Sequence, residues 1–202
     1  MVFKQRTSEI QSTEKNEQMQ ITRKKALTTL GLGLVSLSAA GHSRKHTHAF
    51  REDFLIAWRS SEKYTLELYS QMPEKLMDWK YTPESFSWRT QFVHCIIFNA
   101  AQLANRLDIE DPYDAVTRKG GYWSKLSKSR LEKELKGFYA WVRKVVEEVP
   151  DTRLAELTSF GSEDIPVWRL FYALENHIIH HRGQAVCYLR LNGITPIGFV
   201  GW

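Results

Sequence analysis

Three of the chain's seven histidines fall between positions 177 and 181, in the run Glu-Asn-His-Ile-Ile-His-His-Arg-Gly-Gln that spans 175–184. Upstream, Val167, Leu170 and Leu174 recur at steps of three and four, as the buried stripe of a helix does. The same steps lead on to His177, His181, Gln184 and Tyr188. His177 and His181 therefore stand where apolar residues are expected, one turn apart on one face. Imidazoles at i and i+4 can aim nitrogens at one metal ion. A single buried imidazole needs no metal, because one carbonyl or carboxylate satisfies it. A stacked pair is harder to satisfy that way. His180 lies about 60° from His177 around the helix, so spacing also allows the pair His177 with His180.

Other elements must hold these side chains. Phe54, Trp58, Ser61, Thr65, Leu68 and Met72 follow one face and predict a first helix from about 49 to 71, stopped at Pro73. A turn over 81–85, with Thr82 or Ser85 as cap, leads to a second helix ending near Leu107. Phe86, Thr90, His94, Ile97, Ala101 and Ala104 form its expected inward row, which makes His94 a third inward histidine. Residues 108–122 read as a loop over one end, with Tyr122 and Trp123 capping the core.

Ser129 and Glu132 match a capping box for a third helix. Its stripe is Leu131, Leu135, Phe138, Val142, Val145 and Val149, and Pro150 ends it. Residues 151–163 read as loop. The fourth helix opens near Asp164, with Pro166 in its first turn, and runs to about Leu191 before Asn192-Gly193. Ile197 to Trp202 are expected to pack back on the bundle. The sum is an all-α, antiparallel four-helix bundle with one longer connection. Bundles of this kind build metal sites from side chains on facing helices.

The 202 residues divide at about 48 into a leader and a domain over 49–202. Residues 1–40 hold six Lys and Arg against three Glu, so +3 of the net +5 lies there and only +2 falls on the remainder. That near-neutral domain excludes nucleic acid as a partner on charge grounds. Thr22-Arg-Lys-Lys25 precedes an uncharged apolar run over 26–40 that ends in Ser-Ala-Ala-Gly. This is the build of an export signal, and the run is short for a membrane span. The chain is thus expected to be exported or periplasmic if the leader functions and cytoplasmic otherwise, with no stable span in the mature part. His42, His46 and His48 read as a solvated tail. Cys95 and Cys187 read as small apolar packing residues.

The block His177-x-x-His180-His181-Arg182-Gly183-Gln184, followed by Tyr188-Leu189-Arg190-x-Asn192-Gly193 and Pro196, is similar to the C-terminal signature of the DinB/YfiT-like superfamily. Pro83-Glu84-Ser85-Phe86-Ser87 followed by His94 resembles that family's second helix. These are metal-binding four-helix bundles, unrelated to the DNA polymerase of similar name, and the resemblance covers about 50–200. It implies a divalent metal on His94, His177 and His181, in preference to His180. Characterised members of that family include transferases and isomerases that use bacillithiol or mycothiol and proteins proposed as hydrolases, while many members have no known activity. The leader departs from the mostly cytoplasmic family and weighs against a low-molecular-weight thiol co-substrate.

Three neutral imidazoles leave an ion with open positions, the arrangement of a catalytic centre. Such an ion activates a water or delivers a thiolate. Zinc, nickel and iron(II) all suit the ligand set. Glu175 lies about 160° from the metal face, so no general base stands out. Gln184, on the stripe, and Arg182 are the expected supports behind the ligands, Gln184 the better placed. Gly183 is expected to permit close helix packing. The expected function is a metal-dependent hydrolase or transferase acting on a small molecule; the alternative is a non-catalytic metal- or ligand-binding bundle. A homodimer is the expected assembly.

Overall fold

The row Phe54, Trp58, Ser61, Thr65, Leu68 is buried along α1, which is helical over 49–70, and Met72 just beyond its end is buried too. The computed structural model describes residues 49–200. The export leader proposed for 1–48 lies outside these, as do His42, His46 and His48. After α1 come α2 (Trp88–Leu107), α3 (Asp114–Arg118), α4 (Lys128–Glu148), α5 (Asp151–Ala155), strands β1 (Leu157–Phe160) and β2 (Glu163–Pro166), and α6 (Val167–Leu191). The four long helices α1, α2, α4 and α6 form the expected all-α bundle, and the longer connection joins α2 to α4. No helix among the described residues is long and apolar enough to cross a membrane.

Each long helix feeds one core. Phe54 and Trp58 of α1, Trp88 and Ile96 of α2, Leu131 and Phe138 of α4, and Leu170 and Ile178 of α6 belong to a single apolar cluster. Burying each such side chain contributes about 1.5–3 kcal/mol. The α4 row Leu131, Leu135, Phe138, Val142, Val145, Val149 is buried as its periodicity predicts.

The second helix turns a different face inward. Its buried row runs through Trp88, Gln91, Cys95, Asn99 and Leu103, with Phe92 and Ile96 beside it. Most of the expected row sits to one side: Thr90, His94, Ile97 and Ala101 are half-buried and Phe86 is exposed, while Ala104 is buried as expected. The expected row looked the more apolar because the true one carries two amides, Gln91 and Asn99.

The helix starts also differ. Ser87 caps α2 by accepting the Thr90 N–H at 3.2 Å, while Ser85 closes a turn on Thr82. Ser127, not Ser129, caps α4 through the Arg130 N–H. The α2 helix ends on Asp108 in the left-handed region, φ 56°, where Asp and Asn are tolerated better than other residues.

Residues 151–163 are structured, against expectation. α5 is followed by an antiparallel hairpin pairing Leu157 with Pro166 and Phe160 with Glu163. Gly161, at φ 66°, opens its two-residue turn. Each strand has four residues, and only Ile165 is buried, so no alternating pattern reveals them. Because Glu163–Pro166 is committed to β2, α6 begins at Val167 and not at Asp164. Cys95 is buried, whereas Cys187 is exposed on α6 and is not a packing residue. Tyr122 and Trp123 stay half-buried against the core edge: Trp123 donates to Thr117 and Tyr122 to Glu134. At the C-terminal end Ile197 packs on the core, but Phe199 is 85% exposed.

Candidate metal centre

Along α6 the buried residues include Val167, Leu170, Phe171, Leu174, Ile178, His181, Ala185, Tyr188 and Leu189. His181 is therefore on the core face, and His177 sits half-buried at its edge. The partner helix α2 packs alongside α6 and brings up His94. One ligand atom each from His94, His177 and His181 lies within 4.8 Å of the others. Nε2 of His177 and Nε2 of His181 are 3.0 Å apart. Two imidazole nitrogens on one tetrahedral ion, with bonds of about 2.0–2.1 Å, stand about 3.3 Å apart. His180 takes no part. It is exposed, and its Nε2 accepts from the Gln184 amide at 2.7 Å.

The amides on the α2 core row fix the ring orientations. Asn99 donates Nδ2–H to the Leu174 carbonyl at 3.1 Å, so its Oδ1 faces His177. An amide oxygen only accepts; hence His177 Nδ1, 2.9 Å away, carries the proton. Gln91 donates Nε2–H to Gln184 Oε1 at 2.7 Å and turns its Oε1 to His181 Nδ1. His181 therefore also carries its proton on Nδ1. Both Nε2 atoms are left with lone pairs, and these meet at 3.0 Å with no proton between them. Facing lone pairs repel; a shared cation turns the repulsion into attraction. On this chemistry the residues present fit a divalent ion.

The electrostatics agree. Burial first, then the neighbouring His177, His94 and His180, brings the His181 pKa down to about 3. Burial, then His94 and His180, brings His177 to about 4. Burial likewise lowers His94. All three rings are neutral at pH 7, the state that a metal requires. Aromatic rings flank the histidines. Phe98 lies 4.4 Å from His177 and 5.5 Å from His94, centroid to centroid. Phe86 stacks parallel to His181 at 6.3 Å, its carbonyl taken by the Tyr188 hydroxyl.

Two expected supports are placed differently. Arg182 turns away from the histidines toward α1, where it donates to Ser61 Oγ at 2.8 Å and to Glu175 Oε1 at 3.0 Å. Adjacent side chains on a helix diverge by about 100°, so a neighbour of His181 cannot share its direction. Gln184 reaches His181 only through Gln91. Gln91 and Asn99, which make the direct contacts, were missed. Their signal was their position: two amides eight residues apart, stepping with Trp88, Cys95 and Leu103 through a core row. Gly183 permits no close packing among the described residues, since a Cβ there meets none of their atoms within 4 Å.

The profile of the DinB superfamily matches residues 57–185, more than half of the chain and all three histidines. The chain belongs to the DinB superfamily. Among solved structures, this DinB-superfamily chain is similar to a DinB-like protein, YjoA, from Bacillus subtilis, with 17% identity and a TM-score of 0.56 over 74% of this chain and 97% of that one. It is similar too to a DinB-like protein from Bacillus cereus, with 18% identity, a TM-score of 0.58 and the same coverage. At this identity the likeness establishes the fold. No curated protein matches significantly.

Proposed function

We propose that this DinB-superfamily protein holds a divalent ion on His94, His177 and His181 and acts as a metal-dependent hydrolase or transferase on a small molecule. The observation that carries the reading is the pair of Nε2 lone pairs 3.0 Å apart, each fixed by an amide behind it. Zinc, nickel and iron(II) all suit three neutral imidazoles. When bound, such an ion supplies Lewis acidity and acidifies a water or a thiol. The chain's own residues do the rest. Asn99 and Gln91 hold the Nδ1 protons and so keep each Nε2 free to bind. Phe86 and Phe98 flank the histidine rings on two sides.

A cavity of about 270 Å³ touches His94 and favours a site that admits a substrate over one that only stores an ion. The non-catalytic alternative draws on a different observation: among the described residues, the hydrogen-bond partners of His177 and His181 are amides and each other, with no carboxylate among them. Elemental analysis of purified protein tests the reading. Stoichiometric metal in the wild type and in His180→Ala, with loss in His181→Ala, is expected. Full retention by His181→Ala overturns it. We further propose that the leader over 1–48 directs export; an N-terminus near Gly41 on the exported protein is the expected result.

A further inference from the structure

The cavity at His94 has two unlike walls. One is the outer side of α2: His94, Ile97, Phe98 and Ala101. The other comes from the start of the long connection and from α3: Asp111, Asp114 and Thr117. His94 is one of the lining residues, so a molecule seated in the cavity lies beside one of the three histidines. A volume of about 270 Å³ suits a small molecule.

The two walls ask for different things of that ligand. The α2 wall is apolar and aromatic. The opposite wall carries two carboxylates, and among the described residues no basic side chain lines the cavity. Asp114 shares its charge with the exposed Arg118 at 2.7 Å. Asp111 uses Oδ1 to accept the Tyr113 N–H at 2.8 Å, and none of the described ion pairs reaches it. Its net charge therefore remains for whatever enters.

From this we infer that the cavity selects small substrates whose far end is a cationic amine and discriminates against those ending in a carboxylate. The inference rests on the metal reading above and adds the class of molecule that the site takes. A ligand that satisfies both walls has a metal-binding head, a short apolar stem against Ile97 and Ala101, and an ammonium toward Asp111. An anionic tail would meet Asp111 with nothing to neutralise it. Because the cavity is open to water, the difference between cationic and anionic tails is modest, about tenfold in affinity.

Three thiols with the same two-methylene stem test this on the cobalt(II)-loaded protein: cysteamine, 2-mercaptoethanol and 3-mercaptopropionate. Each offers the same head group, and thiolate-to-cobalt absorption reports binding. The intrinsic thiol acidities differ, so the informative quantity is the cysteamine-to-mercaptopropionate affinity ratio in the wild type against the Asp111→Asn/Asp114→Asn double variant. The amide oxygen introduced by Asp111→Asn still accepts the Tyr113 N–H, so the turn is retained. The expected result is a ratio about tenfold lower in the variant, with 2-mercaptoethanol unchanged. An equal ratio in the two proteins, with cobalt bound in both, overturns this inference alone. Absence of any cobalt spectrum in the wild type overturns the metal reading, and this inference with it.

Discussion

Glu175 and Arg182, two turns apart on α6, meet at 3.0 Å on the side of the helix that faces α1, away from the histidines. Glu175 is wholly buried, and its Oε1 also accepts from Ser61 at 2.7 Å. Arg182 lies over the Tyr64 ring at 5.3 Å. The two residues bracket His177 and His181 in sequence and tie the helix that carries them to Ser61 of α1.

Removing one member of this pair leaves a buried charge alone. Burial already raises the Glu175 pKa, against the pull of Ser61 and Arg182. Glu175→Ala or Arg182→Ala is expected to cost about 3–5 kcal/mol, whereas the double change to leucine is expected to be near neutral. Urea unfolding of the three variants measures this. If the pair fixes helix rotation, the double-leucine protein folds but binds metal less tightly.

The amides behind the rings give a second prediction. Asn99→Ala and Gln91→Ala each free a ring to turn and to move its proton. Metal affinity is expected to fall about 10–100-fold in each, read by competition with a chelator. Unchanged affinity in both would show that the ring orientations do not depend on them.

Acid should weaken the metal-free protein through the same histidines. Their folded pKa values, about 4 for His177 and about 3 for His181, lie below the ordinary 6.5. Between those values the unfolded chain binds more protons than the folded one. The stability associated with the neutral rings is complete above about pH 6.5 and is lost as the pH falls toward their folded values. Thermal melts of wild type and of His177→Ala/His181→Ala, compared from pH 7 to pH 4, isolate the effect. The wild type should lose more of its melting temperature over that range than the variant.

Gly183 supplies the fourth prediction. It lies mid-helix with open space where a Cβ would stand. Gly183→Ala should therefore raise stability by about 0.5–1 kcal/mol, measured by denaturant midpoint. A loss of stability would reveal a contact made only in solution.

Much of this was legible in the chain. The α1 and α4 rows are apolar except for Ser61 and Thr65, and they bury as read. Spacing along α6 placed His177 and His181 on one face, though it could not separate His181 from His180. That choice depends on tertiary partners: Gln91 waits for one ring, and solvent for the other. Rotation of α2 was misread because apolar periodicity counts Gln91 and Asn99 against a row that they belong to. The hairpin escaped because four-residue strands with a single buried side chain leave no alternation to find. Cys187 escaped because a small sulfur side chain fits a surface as well as a core.

The three donors come from α2 and α6 alone, while the apolar cluster draws on all four long helices and includes none of them. Framework and chemistry can thus drift apart: exchanging His94 for a carboxylate or a thiolate would retune the preference for one metal over another without touching what keeps the chain folded. A lineage built this way can change what its histidine cluster holds while its skeleton stays put.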